Sequence, residues 1–158
     1  MAFKILCPVD FSPCSRNALQ TALGLARSLN AELTIVFAYH VPHYIQPSLL
    51  VWMGTGPRPL WQLAEEQAKT ELQEFLVAED VAPDAATVKV VHADPVSAIV
   101  SIAERDGHDL VVMGTHGRGA PGRWLLGSVA ERCVRSAPCP VLVVPSPRAD
   151  PTGRADSL

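Results

Sequence analysis

Apolar residues follow two alternating rhythms along this chain. Short, mainly apolar runs stand at 3–9 (Phe-Lys-Ile-Leu-Cys-Pro-Val), 32–38 (Glu-Leu-Thr-Ile-Val-Phe-Ala), 87–92 (Thr-Val-Lys-Val-Val-His), 109–113 (Asp-Leu-Val-Val-Met) and 140–144 (Pro-Val-Leu-Val-Val). Each is short, β-branched in character and bounded by turn residues, which predicts a buried strand. Between them the spacing changes to three and four. Leu19, Ala22, Leu23, Ala26 and Leu29 predict a helix over 14–29, with Asn30 as its stop. Leu63, Ala64, Ala68, Leu72, Phe75 and Leu76 predict another over 60–79. Asp94-Pro95 opens a third, running to about 105, because Asp caps a helix and Pro suits its first turn. A fourth falls near 125–136. Residues 40–59 carry Pro42, Pro47, Gly54, Gly56, Pro57 and Pro59, and read as a long loop with a short helical turn around 48–53.

The order β-α-β-α-β-α-β-α-β predicts one α/β domain. Its expected form is a Rossmann-like, doubly wound, five-stranded parallel sheet with helices on both faces. The folded part is expected over 1–145, with 146–158 a disordered tail rich in proline and charge. In such sheets ligands sit beyond the carboxyl ends of the strands, where the winding reverses. Chemistry is therefore expected just after residues 9, 38 and 113.

Composition narrows the partners. Over 158 residues the formal net charge is −3, which argues against general adhesion to nucleic acid or an anionic membrane. No apolar run approaches the 18 residues of a membrane span, and the N-terminus has no signal-peptide pattern, so a cytoplasmic protein is expected. The four cysteines, at 7, 14, 133 and 139, form no C-x-x-C pair and fit no zinc spacing. Cys7 and Cys133 read as buried thiols. Cys14, beside a helix start, is the one whose thiol could be more acidic.

The segment from Met113 to Val129 departs from this plain background. Glycines stand at 114, 117 and 127, and Ser128 follows the last. Glycines let backbone N–H groups approach phosphate oxygens closely, and a helix beginning near 125–129 would add its positive end. Arg118, Arg123, Arg132 and Arg135 lie in or near this stretch, where Glu131 is the only acid between 114 and 135. A locally basic loop in an acidic protein suggests an anion site. The alternative is a surface loop rich in turn residues. The spacing matches neither the P-loop nor the first-strand Rossmann fingerprint.

The pattern G-x-x-G, nine residues, then G-[ST] is met by Gly114, Gly117, Gly127 and Ser128. Together with Pro8-Val9-Asp10, the run from Asp109 to Gly114 and the closing run from Ala137 to Pro145, it resembles the universal stress protein family, specifically its ATP-binding branch. The resemblance covers about residues 3–145. It implies ATP as ligand, with or without Mg2+, and a homodimer paired through the last strand, residues 140–144. Carried onto this chain, it implies that Pro8 and Val9 line the adenine pocket, with Val36 to Ala38 nearby. Asp10 would meet the ribose or phosphate region, and Met113 and Gly114 would lie under the nucleoside. Gly117, Arg118, Gly127, Ser128 and Val129 would hold the phosphates. Family members often carry glycine where Ala93 stands, a departure that touches only the local loop shape.

Other residues have plainer readings. Asp10 could be only a helix cap, although its place after a first strand favours a ligand role. His116 could touch phosphate or face solvent, and Arg123 could do either. Trp124 packs against the following helix in the simplest reading. His40 and His43 lie in a loop with no carboxylate partner placed nearby, so no metal site is expected there. With no base paired to a metal-binding carboxylate set, no catalytic residue is assigned. The expected function is a nucleotide-dependent stress or regulatory module with an unknown protein partner. The alternatives are a slow ATPase or nucleotidyl-transfer enzyme, and a dimerisation module without nucleotide.

Overall fold

The computed structural model describes residues 2–40, 46, 48–54, 56–115 and 126–145. Five strands form one parallel sheet: β1 (Lys4–Pro8), β2 (Glu32–Tyr39), β5 (Thr87–His92), β6 (Leu110–Gly114) and β7 (Val141–Val144). Their spatial order is β5-β2-β1-β6-β7. The chain winds outward from β1 through β2 to β5, then crosses back to β6 on the other side of β1. That reversal places the topological switch between β1 and β6, which pair directly through Ile5 with Leu110 and Leu6 with Val111. The expected doubly wound α/β fold is therefore the observed one, with strand limits shifted by a residue or two.

Alternation along each strand divides the core into two layers. Ile5, Cys7, Leu33, Ile35 and Val112 point to one face, where α1 (Pro13–Leu29) lays down Ala18, Leu19, Ala22 and Leu23 and α2 (Leu60–Ala78) adds Leu72 and Phe75. Leu6, Val36, Val111 and Met113 point to the other. There α3 (Pro95–Asp106) contributes Val96, Ile99, Ile102 and Ala103, and α4 (Ser128–Ser136) contributes Ala130 and Cys133. Both faces of the central strands are thus covered, which is why those strands read as near-continuous apolar runs.

Local chemistry sets the helix ends. Ser12 caps α1 by accepting the Ser15 N–H, Pro13 fills its first turn, and Asn30 ends it in the left-handed conformation. Asp94 caps α3 by accepting the Ser97 N–H at 3.1 Å, and Gly107, at φ 64°, closes it. The helix expected near 125–136 begins at Ser128, with Gly127 as its N-cap.

The segment after β2 departs from expectation. In place of a helical turn around 48–53 stands an antiparallel hairpin, β3 (Leu50–Met53) with β4 (Gly56–Pro59). Pro57 and Pro59 cannot donate to a ladder, yet a two-stranded ribbon leaves an outer side where no donor is needed. The hairpin is tied to α2. The Leu60 N–H donates to the Leu49 carbonyl at 2.8 Å, and the Arg58 guanidinium forms a two-pronged ion pair with Glu66. The expected tail, 146–158, lies outside the described residues.

Candidate functional site

Beyond the ends of β1 and β6 two features of opposite electrical character lie side by side. The first is the turn from β1 into α1. Val9 still follows the sheet, its N–H donating to the Val36 carbonyl at 2.9 Å. Asp10 then begins a tight turn through Phe11, which holds a φ of 65°. A phenylalanine rarely adopts that conformation, and here its ring is held 4.5 Å from Phe37 and 5.1 Å from Phe75. Ser12 completes the turn. Its N–H and its hydroxyl both donate to Asp10 Oδ1, at 3.1 and 2.6 Å. Asp10 is therefore not the cap of α1. That role belongs to Ser12, and Asp10 is the carboxylate the turn presents.

The second feature is the start of α4. Its first N–H groups, on Ser128, Val129 and Ala130, have no carbonyl one turn earlier within the helix. Among the described residues no side chain caps them, and Gly127 has none to offer. The helix therefore presents donors and a partial positive charge. The Gly127 N–H donates to the Thr115 carbonyl at 2.7 Å, and the Thr115 N–H donates to the Val144 carbonyl at 3.0 Å. These two bonds moor the start of α4 to the ends of β6 and β7. Gly127 has a φ of −62° and ψ of 151°, which any residue adopts. Backbone freedom is thus no reason for glycine there.

The two features are joined by close packing. Gly114, the last residue of β6, lies against the first turn of α1. A Cβ at 114 would stand 2.8 Å from both the carbonyl carbon and Cβ of Cys14. Glycine at 114 lets α1 approach the strand end, bringing Cys14 Sγ within 3.6 Å of Thr115 Oγ1. Cys14 is 6 % exposed, so the thiol that the sequence singled out for reactivity is covered. Burial pushes the Cys7 thiol up to about 12 and the Cys133 thiol to about 11, as inert core cysteines require.

The residues expected to bind a ligand fall into groups. Pro8, Asp10, Ala38, Gly114, Gly127 and Val129 are half-buried and Ser128 is exposed, all at the carboxyl edge of the sheet or the start of α4. Val9, Val36 and Met113 are 5 %, 1 % and 5 % exposed; their side chains belong to the core, Val9 on the α1 face of the sheet and Val36 and Met113 on the α3 face. Gly117 and Arg118 lie outside the described residues, as do His116, Arg123 and Trp124. Two of the four arginines counted toward a basic loop have acidic neighbours. Arg132 stands 3.7 Å from Asp94, and Arg135 pairs with Glu131 at 2.7 Å. Backbone N–H groups of Asp94's own helix hold its carboxyl below the usual range, with help from Arg132.

Sequence reasoning gave Ser12 a part only in the turn and helix start after β1, and gave Ser15 and Thr115 none. The Asp-x-Ser spacing at 10–12 was a usable signal, because such a pair closes a turn upon itself. Thr115 acts through its backbone and left none. Among the described residues no cluster of three His, Cys, Asp or Glu could hold a metal ion, and no helix is long and apolar enough to cross a membrane.

The fold defines a doubly wound α/β protein whose sheet winding reverses between β1 and β6. The sequence profile of the Universal stress protein family matches residues 1–145, and the chain belongs to that family. It is 34% identical over 151 residues to the universal stress protein MJ0531 of Methanocaldococcus jannaschii, covering 93% of this chain and 84% of that one. Among solved structures it is similar to the universal stress protein UspA of Lactobacillus plantarum. The TM-score is 0.71 and the identity 25%, over 90% of this chain and 97% of that one. It is also similar to a universal stress protein solved in complex with cAMP. There the TM-score is 0.58 and the identity 25%, over 90% of this chain and 95% of that one.

Proposed function

We propose that this protein is an ATP-binding stress-response module whose nucleotide lies across the carboxyl ends of β1 and β6. The observation that carries the reading is the start of α4, without a side-chain cap among the described residues, moored to the ends of β6 and β7 where the sheet winding reverses. An anionic phosphate chain suits donors at a helix N-terminus, and a nucleoside suits the carboxylate and half-buried apolar edge beside them. A relative of similar fold was solved with cAMP, which supports a nucleotide as the ligand class. In this reading Ser128 and Val129 offer N–H groups to phosphate, with Gly117, Arg118 and Gly127 completing the cradle. Pro8 and Ala38 border the base, above the floor formed by Val9, Val36, Met113 and Gly114. Asp10 faces the sugar. Mg2+, where present, would be held chiefly by the phosphates.

Nucleotide occupancy would act by favouring one assembly over another. We assign that assembly to a homodimer through β7. This strand is an edge of the sheet, and Leu142 on it is 40 % exposed. An open edge carrying apolar side chains is a natural pairing surface.

Titration calorimetry with ATP, with and without Mg2+, tests the site on the native protein and on Gly127→Val. Because the Gly127 backbone is open to any residue, valine there probes space rather than strain. Binding by the native protein that is lost in the variant is expected. Failure of nucleotide-stripped native protein to bind ATP would overturn the reading.

A further inference from the structure

The turn at Asp10 is more completely wired than a simple helix start requires. Ser12 is 3 % exposed and so is Ser15, so water competes poorly for their hydrogen bonds. The Ser12 hydroxyl oxygen accepts the Ser15 N–H at 3.2 Å. Its proton then points at Asp10 Oδ1, 2.6 Å away, because a carboxylate can only accept. The Ser12 N–H reaches the same oxygen at 3.1 Å. Around the other side, the Asp10 N–H donates to Ser15 Oγ at 3.4 Å, and Ser15 Oγ donates to the Ser12 carbonyl at 3.1 Å. The ring closes on itself. Its atoms are fixed from behind by Phe11, held in its left-handed conformation among Phe37 and Phe75.

A helix cap alone needs only the Ser15 N–H to find an oxygen. The second function of the Ser12 hydroxyl, donation to Asp10, adds nothing to the cap. It fixes the direction of a carboxylate that stands half-buried at the ligand edge. A carboxylate there repels phosphate and accepts from hydroxyl groups. Phosphate is drawn instead to the start of α4. The two poles thus orient a nucleotide, with sugar hydroxyls toward Asp10.

We propose that Ser12 is a positioning residue. By holding the Asp10 carboxylate in one orientation, it sets the preference of the site for ribonucleotides over their deoxy counterparts. The proposal rests on the nucleotide reading above. A hydrogen bond to a charged acceptor, held in place before the ligand arrives, discriminates by about 10- to 100-fold against a ligand lacking the donor. Loss of the Ser12 hydroxyl removes the shorter of two bonds to Asp10 Oδ1 and leaves the residue-12 N–H, so the carboxylate is held less firmly and the preference shrinks.

The experiment measures the affinities of ATP, 2′-deoxyATP and 3′-deoxyATP on native protein and on Ser12→Gly, Ser12→Thr, Asp10→Ala and the Asp10→Ala/Ser12→Gly double variant. Glycine is tolerated at an N-cap with little loss of helix stability, so Ser12→Gly removes the donor while α1 persists. Each preference is a ratio taken on one protein, which a uniform loss of stability does not move. The native protein is expected to favour ATP over at least one deoxy analogue by tenfold or more. Ser12→Gly should shrink that ratio several-fold, and Ser12→Thr, which keeps the hydroxyl, should restore it. In the Asp10→Ala background, Ser12→Gly should change the ratio no further. If all variants bind ATP and Ser12→Gly keeps the native ratio, Ser12 does not position Asp10, and the nucleotide site stands without it. An equal change of the ratio by Ser12→Gly with Asp10 absent would likewise overturn the positioning role. A native protein that binds none of the three overturns both proposals.

Discussion

Two glycines in this chain give opposite forecasts for the same added methyl group. At Gly114 a Cβ would stand 2.8 Å from the Cys14 carbonyl carbon, 2.8 Å from Cys14 Cβ and 3.0 Å from the Cys14 oxygen. Carbon atoms rest at roughly 3.5–4.0 Å, so the new methyl intrudes by more than half an ångström. Nothing flexible lies in its path. The obstacle is the first turn of α1, held by the Ser12 cap, and the strand end is held by β7 through the pairing of Gly114 with Val144. Gly114→Ala must therefore push α1 off the sheet. Such overpacking costs about 1–3 kcal/mol, which for a chain of this size lowers Tm by roughly 2–12 °C. At Gly24, inside α1, a Cβ meets nothing within 4 Å. Gly24→Ala should stabilise by about 0.5–1 kcal/mol, because alanine loses less backbone freedom in a helix. Urea and thermal unfolding of both variants decide the matter. A Gly114→Ala protein as stable as the native one, or a pair of variants that shift the same way, would refute the account of why glycine ends β6.

Three further outcomes are expected. Leu142→Glu puts a charge on the exposed edge strand, and sedimentation should show a shift toward monomer; an unchanged dimer would remove β7 from the interface. His108 is buried with Nδ1 3.3 Å from the Ile102 carbonyl, and burial holds its pKa below the ordinary 6.5. Its contribution is complete above pH 6.5 and is lost as pH falls from there through the folded value, since the unfolded chain takes up the proton first. Urea midpoints from about pH 8 to 5 should therefore fall more steeply for native protein than for His108→Gln, and parallel curves would contradict this. Cys7 and Cys133 should resist a thiol reagent at about pH 8 until denaturant is added; rapid labelling of either in native protein would show that the core opens readily.

Much of the architecture was legible because it depends on repeating local patterns. The runs at 32–38 and 109–113 are apolar on both sides, and only a strand covered on both faces uses such a run. The caps at Asp94-Pro95 and Asn30 act over three or four residues, within reach of sequence reasoning. The hairpin at 50–59 was not legible. Its prolines and glycines read as irregular, and its ribbon depends on docking to α2 through Arg58 and Glu66, a contact eight residues apart.

The candidate site divides the same way. By itself the sequence determined the order of strands and helices, and hence which strand ends lie at the winding reversal. It also marked the glycine spacing that carries the family likeness. Only the tertiary structure decided how each residue packs there. It buried the side chains of Val36 and Met113 and gave the α1 cap to Ser12, which sets aside the plainer reading of Asp10 as that cap. It made Gly114 a packing contact with Cys14, 100 positions away in the chain. Periodicity is a property of neighbours along the chain, whereas the room a side chain has depends on distant segments that folding brings within a few ångströms.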